Sequence, residues 1–171
     1  MHRSAPPVRS LPLYVFAAGA VAGSLDILYA IGFWSFKGVP AARILQSIAA
    51  GVQGKDAFAG GGGSAALGLA LHYLIALGMA AAFALVARYR WPGLLARPVR
   101  YGLLYGLLLY ALMTYVVVPL SAAPGGGGGN ALWIGCSLVA HAVLVGLPIA
   151  LIVRRAFGGG TPVRMEAVGA R

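Results

Sequence analysis

The sequence predicts an all-α membrane protein, a bundle of four transmembrane helices with a short amphipathic helix in the first outer loop. Of its 171 residues, 60% are apolar and only 9% are charged, and the mean hydropathy is +0.86. This composition is typical of a chain whose solvent is lipid. Four apolar blocks are each long enough to cross a hydrocarbon core of about 30 Å, which takes roughly 20 helical residues. The blocks are continuously apolar and lack the alternation of barrel strands, so helices are expected.

The four blocks form one transmembrane domain that covers the whole chain, residues 1–171. Two glycine runs, 60–63 and 125–129, are expected to be flexible connections into the second and fourth helices, since glycine-rich segments behave as flexible linkers. The end of the chain, 156–171, is expected to be a flexible tail. The predicted helices lie at about 11–33, 65–87, 101–120 and 131–153.

The start of the chain has two interpretations. Arg3 and Arg9 precede an apolar stretch that contains Ala20-Val21-Ala22, a pattern that also fits a cleaved signal peptide. The apolar sequence continues through Phe36, however, which favours a retained first helix. The other three helices keep their orientation in either case.

The basic residues predict the orientation of the helices. With the N-terminus in the cytoplasm, ten of the 13 Lys and Arg residues fall in inside segments, and only Lys37, Arg43 and Lys55 fall outside. Cytoplasmic loops carry an excess of Lys and Arg, so both ends of the chain are expected in the cytoplasm. The net charge of +10 does not indicate nucleic-acid binding, because the basic residues flank apolar blocks and no nucleic-acid-binding motif is present.

The first outer segment is expected to contain a helix over about 40–58, which Pro40 could open. Apolar residues recur on one side at helical spacing, and polar residues lie opposite them. Such a helix would lie on the outer face of the membrane or dip into it. The apolar side is Ile44, Leu45, Ile48 and Val52, and the polar side is Arg43, Gln46 and Lys55.

Three ionisable residues lie inside the predicted spans: Asp26, His72 and His141. Each costs on the order of 2.5 to 3.5 kcal/mol to insert, so each is a candidate functional residue that needs a partner. Asp26 lies eight residues before Trp34, and His141 lies eight residues after Trp133; both tryptophans are expected at the outer membrane boundary. His72 lies eight residues after Ser64. At 1.5 Å per residue all three are about 12 Å below the outer boundary. Thr114, with Tyr115 beside it, is expected at a similar depth.

Small residues predict the direction of these side chains. Gly19 and Gly23 share a helix face with Asp26, and Gly102 and Gly106 share one with Thr114. GxxxG pairs mark close packing between transmembrane helices, so the polar residues are expected to face the bundle interior. Pro119 and the Gly146-Leu147-Pro148 step would permit kinks in the third and fourth helices.

Four roles compete for this polar layer. The first is a structural hydrogen-bond network in which Asp26 accepts a bond from a His, Thr or Tyr. The second is a proton pathway through Asp26, His72 and His141. A metal site of two His and one Asp lacks a signature spacing, and Ser-His-Asp hydrolysis through Ser137 or Ser24 lacks a nucleophile elbow. No metal or cofactor is therefore expected.

Several strings in the chain resemble a family of small, uncharacterised bacterial inner-membrane proteins. The resemblance covers most of residues 19–155, and the long 125–129 run departs from it. It implies location in a bacterial inner (plasma) membrane and adds no mechanism. The strings that carry it are Val21-Ala22-Gly23-Ser24-Leu25-Asp26-Ile27, Arg43-Ile44-Leu45-Gln46-Ser47-Ile48-Ala49-Ala50-Gly51, Ala57-Phe58-Ala59-Gly60-Gly61, Val116-Val117-Val118-Pro119-Leu120-Ser121, and His141 with Val145-Gly146-Leu147-Pro148.

The favoured hypothesis is therefore a multi-pass membrane protein with a structural or partner-binding role, embedded in lipid. The alternative is a small proton-linked transporter or channel that uses the Asp/His layer, which would favour a homo-oligomer or another membrane protein as partner. A catalytic role ranks third, and the sequence offers no reaction type. Its site would lie on the outer-face segment with Arg43, Gln46 and Asp56.

Overall fold

The computed structural model describes residues 10–124 and 130–158, and this part of the chain is helical without strands. Four of its helical runs are long and apolar enough to cross a membrane, which makes the chain a multi-pass membrane protein. We call them the first to fourth spans: Leu11–Ser35, Gly61–Arg90, Pro98–Leu120 and Ala131–Ala156. The α-helices are α1 (Leu11–Ser35), α2 (Ala41–Gln53), α3 (Gly61–Leu85), α4 (Pro98–Leu112), α5 (Val118–Leu120), α6 (Ala131–Ala140) and α7 (Leu147–Ala156).

The predicted fold class is confirmed, and two of the predicted boundaries are wrong. The glycines expected to form a flexible connection instead make the first turn of α3, which begins at Gly61. The Ser64 N–H donates to the Gly60 carbonyl at 3.2 Å, so the helical hydrogen bonds already include this run. The second glycine run, the basic residues before Ser10 and the tail beyond Gly158 lie outside the described residues. Ala156, expected in the tail, is the last residue of α7.

The close packing predicted from small residues is present at two helix pairs. A Cβ added to Gly19 of α1 would lie 2.8 Å from the Leu77 Cα of α3, so the two backbones are in contact there. Gly106 of α4 contacts the His141 carbonyl, and Gly146 of the fourth span contacts Gly102 in return. Absent side chains let transmembrane helices approach closely, and these glycines fix which faces meet.

Three π-helical segments interrupt the spans, and each ends two residues before a proline. Val86–Arg90 precedes Pro92, and the segments Met113–Val117 and His141–Gly146 precede Pro119 and Pro148. A proline ring clashes with the carbonyl four residues earlier and donates no hydrogen bond to it. The residue just before each proline donates instead to the carbonyl five residues back, which widens the turn. These bonds are Trp91 to Val86, Val118 to Met113 and Leu147 to Ala142.

The predicted amphipathic helix exists as α2, followed by a 3₁₀ turn at Gly54–Phe58, but the face assigned to Gln46 was wrong. Gln46, expected on the polar side, is only 7% exposed and its Nε2 donates to the Gly61 carbonyl at 3.0 Å. Val52, expected on the apolar side, is exposed. The reason is that α2 packs on α3 through small residues, with Ala49 buried and the Leu45 carbonyl against Gly68.

The spans pack more closely at one end of the bundle than at the other. At the end away from α2, a core that includes Phe83, Ile149 and Val153 is buried, and Tyr105 of α4 donates its hydroxyl to the Met79 carbonyl of α3 at 2.8 Å. Toward the end that carries α2, which we call the α2 end, α3 and the third span make few direct contacts within the described chain. This separation creates the cavity described below.

Candidate functional site

A cavity of about 490 Å³ lies at the α2 end, lined by residues of α2 and of all four spans. It is lined by Ile44 and Ile48 of α2, by Met79 of α3 and by Met113 of the third span. Most of the wall is aliphatic or aromatic. The polar side chains on it are Asp26, Tyr29, Arg43, Ser47, His72, Ser137 and His141.

The three ionisable residues predicted to share a layer all line this cavity. The closest pair is Asp26 of α1 and His141 of the fourth span, with 3.9 Å between Oδ1 and Nδ1. Their side chains are 23% and 18% exposed, respectively. The His141 Nδ1 also lies 3.0 Å from the Ser137 carbonyl, which can only accept, so we assign the proton to Nδ1.

His72 of α3 is held against α1. Its Nε2 lies 2.8 Å from the Gly23 carbonyl, which assigns the proton to Nε2 and leaves Nδ1 without one in the neutral ring. Gly23 is three residues before Asp26, a rise of about 4.5 Å along the helix. His72 therefore lies within one turn of the level of Asp26, and it bonds to the α1 backbone there.

Two hydroxyl pairs in this region were missed in the sequence. The Tyr29 hydroxyl lies 3.3 Å from the Ser137 Oγ, which joins α1 to the fourth span. The Ser24 Oγ lies 2.8 Å from the Tyr73 hydroxyl, which joins α1 to α3. A sequence signal existed for the first pair, because Tyr29 is three residues after Asp26 on the same helix face.

Aromatic side chains line the cavity near the α2 end. Trp34 and Trp133 pack with 5.2 Å between ring centroids, and the Tyr29 ring stacks on Trp133 at 5.7 Å. The two tryptophans, taken in the sequence as markers of one membrane boundary, therefore lie at the same level. The Arg43 guanidinium lies 4.3 Å from the centroid of the Phe58 ring, and both residues line the cavity.

The predicted outer-face residues have three different positions. Arg43 lines the cavity on α2, whereas the Gln46 amide is buried against the first turn of α3. Asp56 is exposed in the 3₁₀ turn and does not line the cavity. These residues do not form one cluster.

Thr114 and Tyr115 were expected to face the bundle interior, and this expectation is wrong. Both are exposed, Tyr115 by 72%, and neither lines the cavity. The buried stripe through Gly106 and Tyr110 follows four-residue spacing, but Thr114 lies in the wider π-helical turn. A step of four residues does not preserve the helix face there, and the end of the third span also makes few contacts with other helices.

The positions of the polar side chains do not match a metal site or a hydrolytic site in the described part of the chain. No group of three or more His, Cys, Asp or Glu side chains in the described chain is placed to hold a metal ion. The Ser137 hydroxyl pairs with Tyr29, and His141 contacts the Ser137 carbonyl, so these side chains do not form a nucleophile and base pair. The arrangement is suited to holding a molecule in an apolar cavity with a few polar contacts.

A comparison of the chain with protein-family models, with curated proteins and with solved structures finds no match. The resemblance to a family of small bacterial inner-membrane proteins thus stays a prediction. The function must be argued from the site.

Proposed function

We propose that this multi-pass membrane protein binds a small amphiphilic molecule in the cavity at its α2 end. The observation that carries the proposal is the cavity itself, with a volume of about 490 Å³ and a mainly apolar wall on which Asp26, His72 and His141 converge. Ligand sites in proteins are typically about 300 to 1,000 Å³ and combine apolar walls with a few polar groups. A ligand with an apolar body and a polar group matches this lining.

The separation of α3 from the third span supports access from within the membrane. Met79 of α3 and Met113 of the third span both line the cavity, and the Tyr105 hydroxyl joins the two helices at Met79, at the end of the cavity away from α2. With the basic residues on the cytoplasmic side, the α2 end faces the outer leaflet of a bacterial inner membrane. An amphiphilic ligand partitions into lipid, so it would enter the cavity from that leaflet.

The test compares two alanine-to-phenylalanine variants. Ala30 lines the cavity one turn from Asp26, whereas Ala70 of α3 is exposed and outside the cavity. A Trp91→Phe background leaves only Trp34 and Trp133, both in the cavity wall, as fluorophores. Decanol added in dodecyl maltoside should change their emission saturably.

Ala30→Phe should weaken this binding because the added ring occupies the cavity, and Ala70→Phe should leave it unchanged. Equal, non-saturating responses in both variants would mean that decanol only partitions into the micelle. That result would refute the proposal.

Proton-linked transport is a second candidate, favoured by the 3.9 Å approach of Asp26 to His141. Titratable groups inside a membrane mark proton relays in pumps and transporters. The test measures proton flux in phosphatidylcholine and phosphatidylglycerol liposomes together with folded yield in detergent. Asp26→Asn with intact yield and altered flux would support transport, and lost yield would support a structural role for the carboxyl group.

A structural or partner-binding role also has a specific observation behind it. Thr114 and Tyr115 lie on the exposed end of the third span, where a second copy of the chain or another membrane protein could pack. Light scattering of the detergent-solubilised protein measures its oligomeric state. A dimer that dissociates on Tyr115→Ala would support this role, and a monomer would refute the homo-oligomer.

A further inference from the structure

We infer that the cavity selects a lipophilic cation, an amphiphile with a protonated amine that pairs with Asp26 and an apolar chain that packs on the aliphatic wall. The inference rests on the proposed binding function and names the chemical class of its ligand.

The first step is the hydrogen bonding of Asp26. Its carboxylate accepts no hydrogen bond from a side chain in the described part of the chain, and its Oδ1 lies 3.9 Å from the His141 Nδ1. The proton on that nitrogen is already donated to the Ser137 carbonyl at 3.0 Å. A carboxylate in an apolar setting needs donors, because a poorly paired charge is costly there. A ligand ammonium group supplies both donors and the opposite charge.

The second step is the aromatic lining between Asp26 and the α2 end. Tyr29, Trp34 and Trp133 line the cavity and pack on one another. Their ring faces attract cations, as the Lys37 ammonium 5.0 Å from the Trp34 ring centroid shows, and the attraction is larger where water is excluded. A ligand cation bound at Asp26 thus has, on its α2 side, aromatic rings that favour it.

The third step concerns charge. Among the described residues that line the cavity, Asp26 is the one acidic side chain and Arg43 the one Lys or Arg side chain. Arg43 is exposed, and its guanidinium already lies over the Phe58 ring. Charges that face solvent are screened, whereas a charge inside the cavity is screened much less. The interior of the cavity therefore favours a cation over an anion.

The apolar part of the ligand has a separate place. Ala22 lies one helical turn beyond Asp26, and Val145 one turn beyond His141, both toward the end away from α2. Met79 lies in this region as well, since its carbonyl accepts the Tyr105 hydroxyl away from the α2 end, and methionine side chains adapt to ligands of varied shape. The ligand thus needs a hydrocarbon portion as well as its charge.

The experiment uses three probes that share a ten-carbon chain: decylammonium, decanol and decanoate. Each is titrated at pH 7 into the Trp91→Phe protein in dodecyl maltoside, and the emission of Trp34 and Trp133 is recorded. Partition into micelles is subtracted with the Ala30→Phe variant, in which the cavity is filled. We expect decylammonium to bind about tenfold or more tightly than decanol, because hydrogen bonds to charged groups exceed the energy of a tenfold change.

Two aspartate variants then test the role of the carboxylate. Asp26→Asn should weaken decylammonium binding about tenfold or more while decanol binding is retained, which also shows that the cavity is intact. Asp56→Asn removes an exposed carboxylate outside the cavity, so it should change the binding of neither decylammonium nor decanol.

The outcomes separate the two proposals. Decanoate binding most tightly, or decylammonium binding no more tightly than decanol, would overturn the cation inference and leave the binding function standing. This comparison uses only proteins with Asp26 present, so it holds even where Asp26→Asn does not fold. Saturable binding of none of the three probes would overturn the binding function itself.

Discussion

Replacing Gly106 by alanine tests whether the contact between α4 and the fourth span holds the cavity in shape. The added Cβ would meet the His141 carbonyl and would lie 2.6 Å from the Ala142 Cα. Both neighbours are backbone atoms, which cannot move aside as a flexible side chain does. Forcing extra volume into packed interiors costs about 1 to 3 kcal/mol, and we expect the upper part of that range here.

Gly78→Ala is the matched control, because a Cβ at this position of α3 meets nothing within 4 Å. Alanine in a helix is about 1 kcal/mol more favourable than glycine, so this variant should be slightly more stable than the natural chain. The same gain in helix propensity applies to Gly106→Ala and reduces the net loss in its free energy of unfolding to about 2 kcal/mol. The two variants should therefore differ by about 3 kcal/mol in the free energy of unfolding.

The assay is equilibrium unfolding in dodecyl maltoside, followed by circular dichroism. Binding of decanol gives a second readout, since His141 lies both at the Gly106 contact and in the cavity wall. Gly106→Ala should lose stability and binding, and Gly78→Ala should lose neither. Equal stability of the two variants would mean that α4 and the fourth span do not pack as described.

Three further predictions concern single side chains, all measured by the same unfolding assay. Gln46→Ala should lower the free energy of unfolding by about 1 to 3 kcal/mol, because it removes the buried amide that donates to the Gly61 carbonyl. Unchanged stability would contradict the burial of this face of α2. Tyr105→Phe should lower the free energy of unfolding by about 1 kcal/mol, because it removes the hydrogen bond to the Met79 carbonyl and weakens the contact between α3 and α4. No loss of stability would show that this hydrogen bond does not stabilise the helix pair. Tyr115→Leu should change stability by no more than about 0.5 kcal/mol because the side chain is exposed, and a large loss would place it in an interface.

The polar layer shows how far sequence reasoning reaches. Counting residues from Trp34 and Trp133 gave a common depth for Asp26 and His141, and these two side chains do approach each other. That count works because a straight helix advances by a constant rise per residue. It fails for the direction of Thr114, because the π-helical turn before Pro119 changes the number of residues per turn.

The amphipathic helix shows a different limit. Its existence and the side that carries Ile44 and Ile48 followed from residue spacing, but the burial of Gln46 did not follow from hydrophobicity. Helix α2 packs through Ala49 and Gln46, because Gly68 of α3 admits a close approach and the Gly61 carbonyl offers the amide a partner. Neither feature is visible from the periodicity of α2 alone.

The sequence by itself determined that the chain crosses the membrane four times and which titratable groups lie inside. Lipid cannot satisfy backbone or charged groups, so long apolar blocks must become helices and the few charges within them stand out. Only the tertiary structure decided that α3 and the third span separate at the α2 end and leave a cavity around Asp26, His72 and His141. Cavities depend on where helices fail to touch, which is set by contacts between backbones that are distant in sequence.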